Sequence, residues 1–256
     1  MDAALETGSF DVDAGQARRA ALGLVVLQAD ETIENDARRI VPSDGVRVYV
    51  SRIRSAPLIT TETLNSMAGD LAASAGMLPD AVTFDVIGYG CTSASLVIGE
   101  DKVDDALRLS HPTARSTNPF SALKAACRSL GVRKLALLTP YVADLSLAMR
   151  ENLEDNGVTV TRLVSFGQEE ERIVARITPE SLLPTIVEMG SRDDCDAVFA
   201  SCTNLRATDI INEAEQQIGK PVLCSNQVLF WHMMRLAGLD DHVEGCGRLF
   251  DVQLSE

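Results

Sequence analysis

The sequence predicts an α/β protein made of two pseudo-symmetric lobes, each a doubly wound parallel sheet, with a site in the cleft between them. Three features support this prediction: short apolar runs alternate with longer amphipathic stretches, the chain repeats itself, and two strand-like runs end in similar polar turns. Continuous apolar strands separated by helices are typical of parallel sheets covered on both faces. The 256 residues are enough for one large domain or two small ones.

An internal repeat becomes visible when the sequence is shifted against itself by 111 positions. The matching pairs are 85–92 with 196–203, 24–27 with 135–138 and, one step further, 46–48 with 158–160. In the first pair, both segments consist of an aspartate, a short apolar strand, Cys-Thr and a polar turn. Three collinear matches at nearly constant offset indicate a duplication, so the two halves should share one topology.

The sequence pattern of each half predicts a succession of strands and helices. Asp155-Asn156-Gly157 marks the end of one helix, and Pro179 with Glu180 marks the first turn of another. In the first half we expect strands at 21–27, 46–50 and 84–88 and a helix near 61–75. In the second half we expect helices near 119–130, 143–156, 179–190 and 206–218, strands at 134–139, 158–165, 196–200 and 221–224, and a final helix near 226–238.

The repeat also predicts the lobe boundaries. The final helix aligns with the one that begins after Asn118, so we assign 21–118 plus about 226–256 to the first lobe. The second lobe is then 119–225. Residues 1–20 are acidic and lack an apolar signal segment, and we expect a disordered tail there.

Charge and composition argue against several classes of partner. The chain has 23 Lys and Arg against 37 Asp and Glu, a formal charge of −14 and a pI near 4.6. Nucleic acids and anionic membranes bind clustered cations, so neither is expected as a partner. The apolar run at 20–27 is too short to span a bilayer. With no export signal in the sequence, the expected location is the cytoplasm, where thiols stay reduced.

Two of the six cysteines occupy equivalent positions in the repeat. Cys91 and Cys202 each end a predicted strand, while the other four have no such symmetry and are expected to be buried small hydrophobes. No CxxC pair occurs, and the three histidines lie in no metal-ligand spacing, so no metal site is expected. Ligands bind beyond the carboxyl ends of parallel strands. We therefore expect the two thiols to face each other across the interlobe cleft.

Two thiols on opposite sides of one carbon suit proton transfer next to a carboxylate. One thiolate removes the proton, and the other thiol returns a proton on the opposite face. This needs sulfurs roughly 6–8 Å apart, because each must approach the reacting carbon closely. Backbone N–H groups of the turns and the hydroxyls of Thr92, Ser93, Ser95 and Thr203 can bind the carboxylate, and a helix N-terminus can lower a thiol pKa towards neutrality. Neither a cofactor nor a metal is required.

The turns Gly-Cys-Thr-Ser-Ala-Ser at 90–95 and Ser-Cys-Thr-Asn at 201–204 resemble the two catalytic loops of the aspartate/glutamate racemase superfamily. The resemblance covers nearly the whole chain after residue 20. It implies a cofactor-independent racemase or isomerase that acts on a small carboxylate. Glutamate racemases have Asp-Ser-Gly after the first strand and a histidine after the second Cys-Thr, where this chain has 27–30 and Asn204.

Two other branches of the superfamily differ in their cysteines. Arylmalonate decarboxylases have a glycine at the first loop, whereas this chain has both cysteines. Maleate cis-trans isomerases keep two cysteines and a tyrosine after the fourth strand, as in Thr139-Pro140-Tyr141. The segments 26–32, 48–54 and 202–206 resemble the ectoine-utilisation branch, which comprises racemase-like proteins of ectoine catabolism.

These resemblances order the functional hypotheses. Racemase-like chemistry in ectoine catabolism comes first, maleate isomerisation second and arylmalonate-type decarboxylation third. The alternative from another class is a non-catalytic protein that binds a small carboxylate, because two lobes around a cleft also suit ligand capture. A homo-oligomer, either a dimer or a tetramer, is also expected.

The resemblance assigns further residues to the site. Tyr141 follows a strand and a proline, so its hydroxyl can donate to the substrate carboxylate. Gln28 occupies the strand end where maleate isomerases carry a substrate-binding asparagine, although it can equally cap a helix. Gln168 can contribute from the next strand end, and Thr203 and Asn204 from the second Cys-Thr turn.

Four other features have simpler interpretations. Arg52 and Arg54 either form a second carboxylate clamp or are solvated charges at a strand edge. The run 169–171 is expected to be a solvated group of glutamates, and Asn226 is expected to cap the last helix.

Overall fold

The computed structural model describes residue 5 and residues 7–255, and it confirms the predicted α/β class. The first sheet contains β1 (Ala20–Leu27), β2 (Val46–Ile53), β3 (Val86–Gly90) and β4 (Arg115–Thr117), and the second contains β5 (Lys134–Thr139), β6 (Thr159–Ser165), β7 (Ala197–Ala200) and β8 (Val222–Cys224). The orders across the sheets are β2-β1-β3-β4 and β6-β5-β7-β8, and all neighbouring strands are parallel. The second sheet therefore repeats the topology of the first.

Helices connect and cover the strands. They are α1 (Ile33–Ile40), α2 (Thr61–Ser66), α3 (Ala68–Ala75), α4 (Thr92–Ile98), α5 (Glu100–Ser110), α6 (Pro119–Leu130), α7 (Ala143–Asp155), α8 (Glu171–Val174), α9 (Pro179–Gly190), α10 (Ile211–Ile218) and α11 (Ser225–Leu236), with 3₁₀ turns at Thr208–Ile210 and Arg248–Asp251. The expected single helix near 61–75 is divided at Met67, whose N–H bonds to Leu64 O three residues back and tightens the turn. Helix α4 was missed because its serines and β-branched residues are poor helix formers.

The aspartate of each repeat holds the beginning of the neighbouring strand. Asp85 Oδ2 accepts a hydrogen bond from Ala21 N at 2.8 Å. Asp196 Oδ2 accepts from Arg133 N at 2.9 Å and from Lys134 N at 2.8 Å. These backbone donors lower the pKa of Asp196. The duplicated aspartate thus has a structural role at the amino ends of the strands, remote from the Cys-Thr turns.

We expect Asp196→Ala to lower the free energy of unfolding by about 1 kcal/mol at neutral pH, because it removes two hydrogen bonds from a carboxylate that is exposed. Urea denaturation measures this loss. Asp193→Ala, in the exposed loop before β7, is the matched control. An equal loss in the control would contradict the role given to Asp196.

Helix α11 returns the end of the chain to the first sheet, where it packs against α6, β3 and β4. Gly88 allows this close approach, since a Cβ at that position would lie 2.7 Å from Met233 Sδ.

The described residues from 7 to 19 form no helix or strand, and part of the predicted disordered tail, residues 1–4 and 6, lies outside the described residues. Within the described chain, no helix has the length and apolar character needed to cross a membrane.

Candidate active site

Cys91 lies at the carboxyl end of β3 and forms the N-cap of α4. Its side chain is buried, and Sγ accepts a hydrogen bond from Ala94 N at 3.4 Å. Ser93 Oγ lies 3.6 Å from the same sulfur. The first turn of α4 therefore directs a backbone N–H and a hydroxyl at the thiol.

Cys202 occupies the equivalent position two residues after the end of β7, in a strained backbone conformation. Its φ is 125°, and among the described residues it is the only non-glycine residue with positive φ. Sγ accepts from Asn204 N at 3.4 Å, and the Cys202 N–H donates to Ser225 Oγ at 2.9 Å. Backbone strain of this kind persists only where surrounding contacts impose it, and it concentrates at functional sites.

The two Cys-Thr turns are hydrogen-bonded to each other across the lobes. Thr203 Oγ1 donates to Gly90 O at 3.3 Å. Thr92 Oγ1 donates at 2.8 Å to Ser225 Oγ, the atom that also accepts from Cys202 N. The structure thus brings the two predicted catalytic turns together, with both threonine hydroxyls used in joining them.

Glu171 is a site residue that the sequence interpretation missed. The expectation of a solvated run at 169–171 is wrong for this residue, which is only 6% exposed. Its Oε2 accepts from Asn204 Nδ2 at 3.1 Å, so it contacts the second Cys-Thr turn. Glu171 and Val174 are the buried pair on α8, and this spacing of three is the signal that separates Glu171 from its solvated neighbours.

Asp30 is a second buried carboxyl group, 5% exposed, in the turn after β1. Oδ1 accepts from Thr32 N and Ile33 N, both at 2.8 Å, at the beginning of α1. Oδ2 is buried and has no hydrogen-bond partner among the described residues. Burial raises the pKa of Asp30 to about 6, and the two backbone donors only partly oppose this.

Asn204 connects these groups across the cleft. Its Oδ1 accepts from Glu31 N at 2.9 Å, and its backbone oxygen accepts from Thr32 Oγ1 at 3.0 Å. With its Nδ2 on Glu171, the side chain links the second lobe's Cys-Thr turn to the turn after β1. Both polar atoms of its amide are therefore engaged within the protein.

Burial and the nearby carboxylates set the protonation of both thiols. Burial and then Glu171 raise the pKa of Cys91 to about 12, although the Ala94 N–H and the Ser93 hydroxyl oppose this rise. Burial and then Glu171 also raise the pKa of Cys202 well above its ordinary value, against the Tyr141 hydroxyl. The expectation that a helix N-terminus brings the thiol pKa towards neutrality is thus wrong for this closed site, because desolvation outweighs the helix.

A contact between the lobes lies next to Glu171. Ile59 N donates to Glu169 O at 2.8 Å, and Glu171 N donates to Pro57 O at 3.1 Å, so 57–59 pairs with 169–171. Both sulfurs are buried. The pairing therefore joins the two lobes beside a site whose thiols are both buried.

The remaining predicted site residues lie at different depths. Tyr141 is fully buried beside Cys202. Gln168 is half-buried; its Nε2 donates to Phe166 O at 2.9 Å and its N–H to Pro140 O at 2.7 Å. Gln28 has an exposed side chain, and its backbone N–H donates to Ile53 O at 2.8 Å.

Two of the simpler interpretations also change. Arg52 pairs with Glu34 and donates to Leu27 O at 3.0 Å and Asp30 O at 3.1 Å, so it holds the turn after β1 instead of forming a carboxylate clamp. Asn226 does not cap α11, because Cys224 occupies the N-cap. Instead, its Nδ2 donates to two oxygens of the interlobe contact, Asp36 Oδ2 and Thr203 O.

In the described residues, no group of three or more His, Cys, Asp and Glu side chains is arranged to hold a metal ion.

Comparisons with known proteins agree with this arrangement. The Amdase family model, described as arylmalonate decarboxylase, matches residues 22–250. The arylmalonate decarboxylase of Bordetella bronchiseptica is 33% identical to this chain over 137 residues. The aligned part covers 53% of this chain and 57% of that protein, little more than half of its length.

Two solved structures cover nearly the whole chain. A variant of the maleate isomerase Iso from Pseudomonas putida S16, with maleate, has a TM-score of 0.83 and 25% identity over 93% of this chain and 99% of that one. A variant of the Nocardia farcinica maleate cis-trans isomerase, with a covalently bound succinylcysteine intermediate, has a TM-score of 0.81 and 24% identity over 90% and 98%. The second likeness establishes the fold alone.

Proposed function

Since this chain belongs to the Amdase family, we propose that it is a two-cysteine enzyme that moves a proton at the carbon next to a carboxylate. The observation that carries the proposal is the pairing of Cys91 and Cys202 on two hydrogen-bonded turns at the carboxyl ends of equivalent strands. A protein that only binds a ligand needs no thiol from each lobe. Family relatives include a decarboxylase and isomerases, so the chemistry next to a carboxylate has several possible outcomes.

The proposed reaction needs no net change in the protonation of the pair. One cysteine thiolate takes the proton from the α-carbon and becomes a thiol, leaving an enediolate on the substrate. Backbone N–H groups of the two turns stabilise the enediolate oxygens. The other thiol then gives its proton to the opposite face of the carbon and becomes the thiolate. The result is an inverted configuration, with the roles of the two cysteines exchanged.

Among these outcomes we propose racemisation first. The more specific proposal is that the enzyme acts in ectoine catabolism. Support for the role comes from the likeness of 26–32, 48–54 and 202–206 to the ectoine-utilisation branch. Maleate isomerisation is the second candidate, favoured by the second cysteine together with Tyr141 beside Cys202. In that reaction one thiolate adds to the alkene while the other cysteine supplies a proton to the neighbouring carbon. The central bond then rotates, the proton is removed again, and the thiolate leaves.

Incubation in D₂O with a panel of small carboxylates separates these outcomes. The panel contains α-amino acids, 2-hydroxy acids, maleate and an arylmalonate. Racemisation is expected to replace the α-hydrogen with deuterium, seen as loss of its proton NMR signal. Maleate isomerisation would instead produce fumarate and a cysteine adduct visible by mass spectrometry. If panel members bind but none undergoes exchange, adduct formation or decarboxylation, the non-catalytic alternative replaces the proposal.

A further inference from the structure

The first sheet has a groove along its outer edge. β2 is the last strand on that side and pairs only with β1 among the described strands. The groove is lined by Val46, Val48 and Val50 of β2 and by Ala37 and Val41 of α1 and the residue that follows it, and its volume is about 660 Å³. Val50 is 40% exposed. An open edge strand beside an apolar groove is a template on which a further strand can pair.

Residues 9–13, here called the arm, carry apolar side chains that pack against nothing in the same chain. Phe10 and Val12 are both 85% exposed, and every residue from 7 to 16 is exposed. The two apolar residues alternate with Asp11 and Asp13. Alternation with a period of two is typical of a half-buried strand, yet the arm belongs to no strand of the described chain. The arm thus has the pattern of a strand that lacks a sheet.

The charges of the arm and of β2 are complementary. Arg47 alternates with the valines of the groove, and within the described chain its guanidinium has no carboxylate partner. It donates to Gln16 Oε1 at 3.0 Å and to two backbone oxygens. Residues directly opposite in a strand pair share one face. A pairing that seats Phe10 and Val12 in the groove therefore places an aspartate on the face of Arg47.

The arginines of β2 disfavour the alternative in which two β2 strands pair with each other. Antiparallel pairing centred on Tyr49 and Val50 would place Arg47 opposite Arg52 of the second copy, and like charges directly opposite destabilise a strand pair. The arm and the groove are both exposed in a single chain, so two chains can exchange arms reciprocally. Gln16 holds the base of the arm at Arg47, next to the edge where the exchange takes place. Such an exchange uses both copies of each part and closes into a twofold dimer.

We propose that two copies of this chain form a dimer in which the arm of each copy adds as a strand to β2 of the other. Phe10 and Val12 occupy the groove, and an aspartate of the arm faces Arg47. The groove contains no residue of the two Cys-Thr turns, so the interface is independent of the proposed chemistry.

Sedimentation velocity of the full-length protein over a range of concentrations tests the dimer. We expect the wild type to sediment as a dimer, twice the chain mass of 27.5 kDa, at micromolar concentration. The double variant Phe10→Asp, Val12→Asp is expected to raise the dissociation constant of the dimer at least about 100-fold, because it removes two apolar anchors. Both residues are exposed within one chain, so the fold itself should keep its Tm.

Met77→Asp together with Leu109→Asp is the matched control. These residues are 79% and 78% exposed, lie outside the arm and the groove, and receive the same two charges. The control should remain a dimer. A monomeric wild type, a dimer that survives in the arm variant, or an equal loss in the control would each overturn the proposal.

Disulfide trapping identifies what occupies the groove. All six native cysteines are buried, so cysteines introduced at the surface react selectively. Phe10→Cys or Val12→Cys is mixed with Val50→Cys in dilute solution, where dimers dissociate, then concentrated and treated with a mild oxidant. At least one of the two mixtures should give a covalent dimer on a non-reducing gel, because Phe10 and Val12 share one face. Met77→Cys, mixed with either arm variant, measures cross-linking by random collision.

The other possible occupants of the groove give different products. A disulfide that forms within the double variant Val12→Cys, Val50→Cys but in neither mixture would mean that the arm covers β2 of its own chain. A covalent dimer of Val50→Cys alone would mean that two β2 strands pair with each other. Either result, or mixtures that cross-link no more than the Met77→Cys control, would overturn the exchange of arms.

Discussion

Cys91→Ala and Cys202→Ala are each expected to lower turnover by at least about 100-fold, the lower end of the loss for a removed acid-base group. Inversion through a planar intermediate needs a base on one face and an acid on the other, so neither thiol can replace its partner. The measurements are the initial rate and the α-deuterium incorporation, with any substrate found in the carboxylate panel. Circular dichroism and Tm establish that each variant is folded.

Cys127→Ala is the matched control, because Cys127 is also a buried free cysteine but lies in α6, outside the Cys-Thr turns. It should leave the rate unchanged while lowering Tm by the loss of a buried sulfur. The pattern among variants also distinguishes the candidate chemistries. Decarboxylation needs one proton donor, so full activity of Cys91→Ala together with an inactive Cys202→Ala would replace racemisation with that reaction.

Asp30→Asn is expected to raise the free energy of unfolding above pH 6 by up to about 3 kcal/mol, with little change near pH 4. The folded-state pKa of Asp30 is about 6, above its ordinary 3.8, because burial disfavours the charge. A raised carboxyl pKa gives stability that is complete below the unfolded pKa and is lost as pH rises through the folded pKa. Asparagine cannot ionise and so avoids that loss.

Urea denaturation of the two proteins between pH 4 and pH 8 tests this expectation. The neighbouring buried titratable groups, Glu171 and the Cys91 thiol, are present in both proteins, so most of their own pH dependence cancels in the difference. The expected difference increases between pH 4 and pH 6 and is constant above. A constant difference across the range, or one that falls with pH, would contradict a buried ionised Asp30. A stability difference that increases between pH 4 and pH 6 would mean that the wild-type protein keeps a destabilising charge at its site, a common cost of function.

The sequence alone was enough to predict the α/β class, the equivalent topology of the two halves and the positions of the two Cys-Thr turns. These properties depend on local patterns: apolar runs of strand length, helix end signals and an offset that repeats along the chain. Cys91 and Cys202 were identifiable because a strand that ends in a parallel sheet places the next residue at the ligand-binding edge. Short elements such as β4 and α8, of three and four residues, carry too little pattern to be recognised.

Only the tertiary structure decided which charged residues belong to the site. Glu171 sits in a run of three glutamates, and nothing local distinguishes it from exposed Glu169 except its spacing to Val174. It becomes buried because 57–59 of the other lobe pairs with its backbone. The same closure excludes water from both thiols and raises their pKa against the effect of the α4 N-terminus. Desolvation depends on which segments cover a group, and those segments are distant in sequence, so protonation at this site is a property of the assembled lobes.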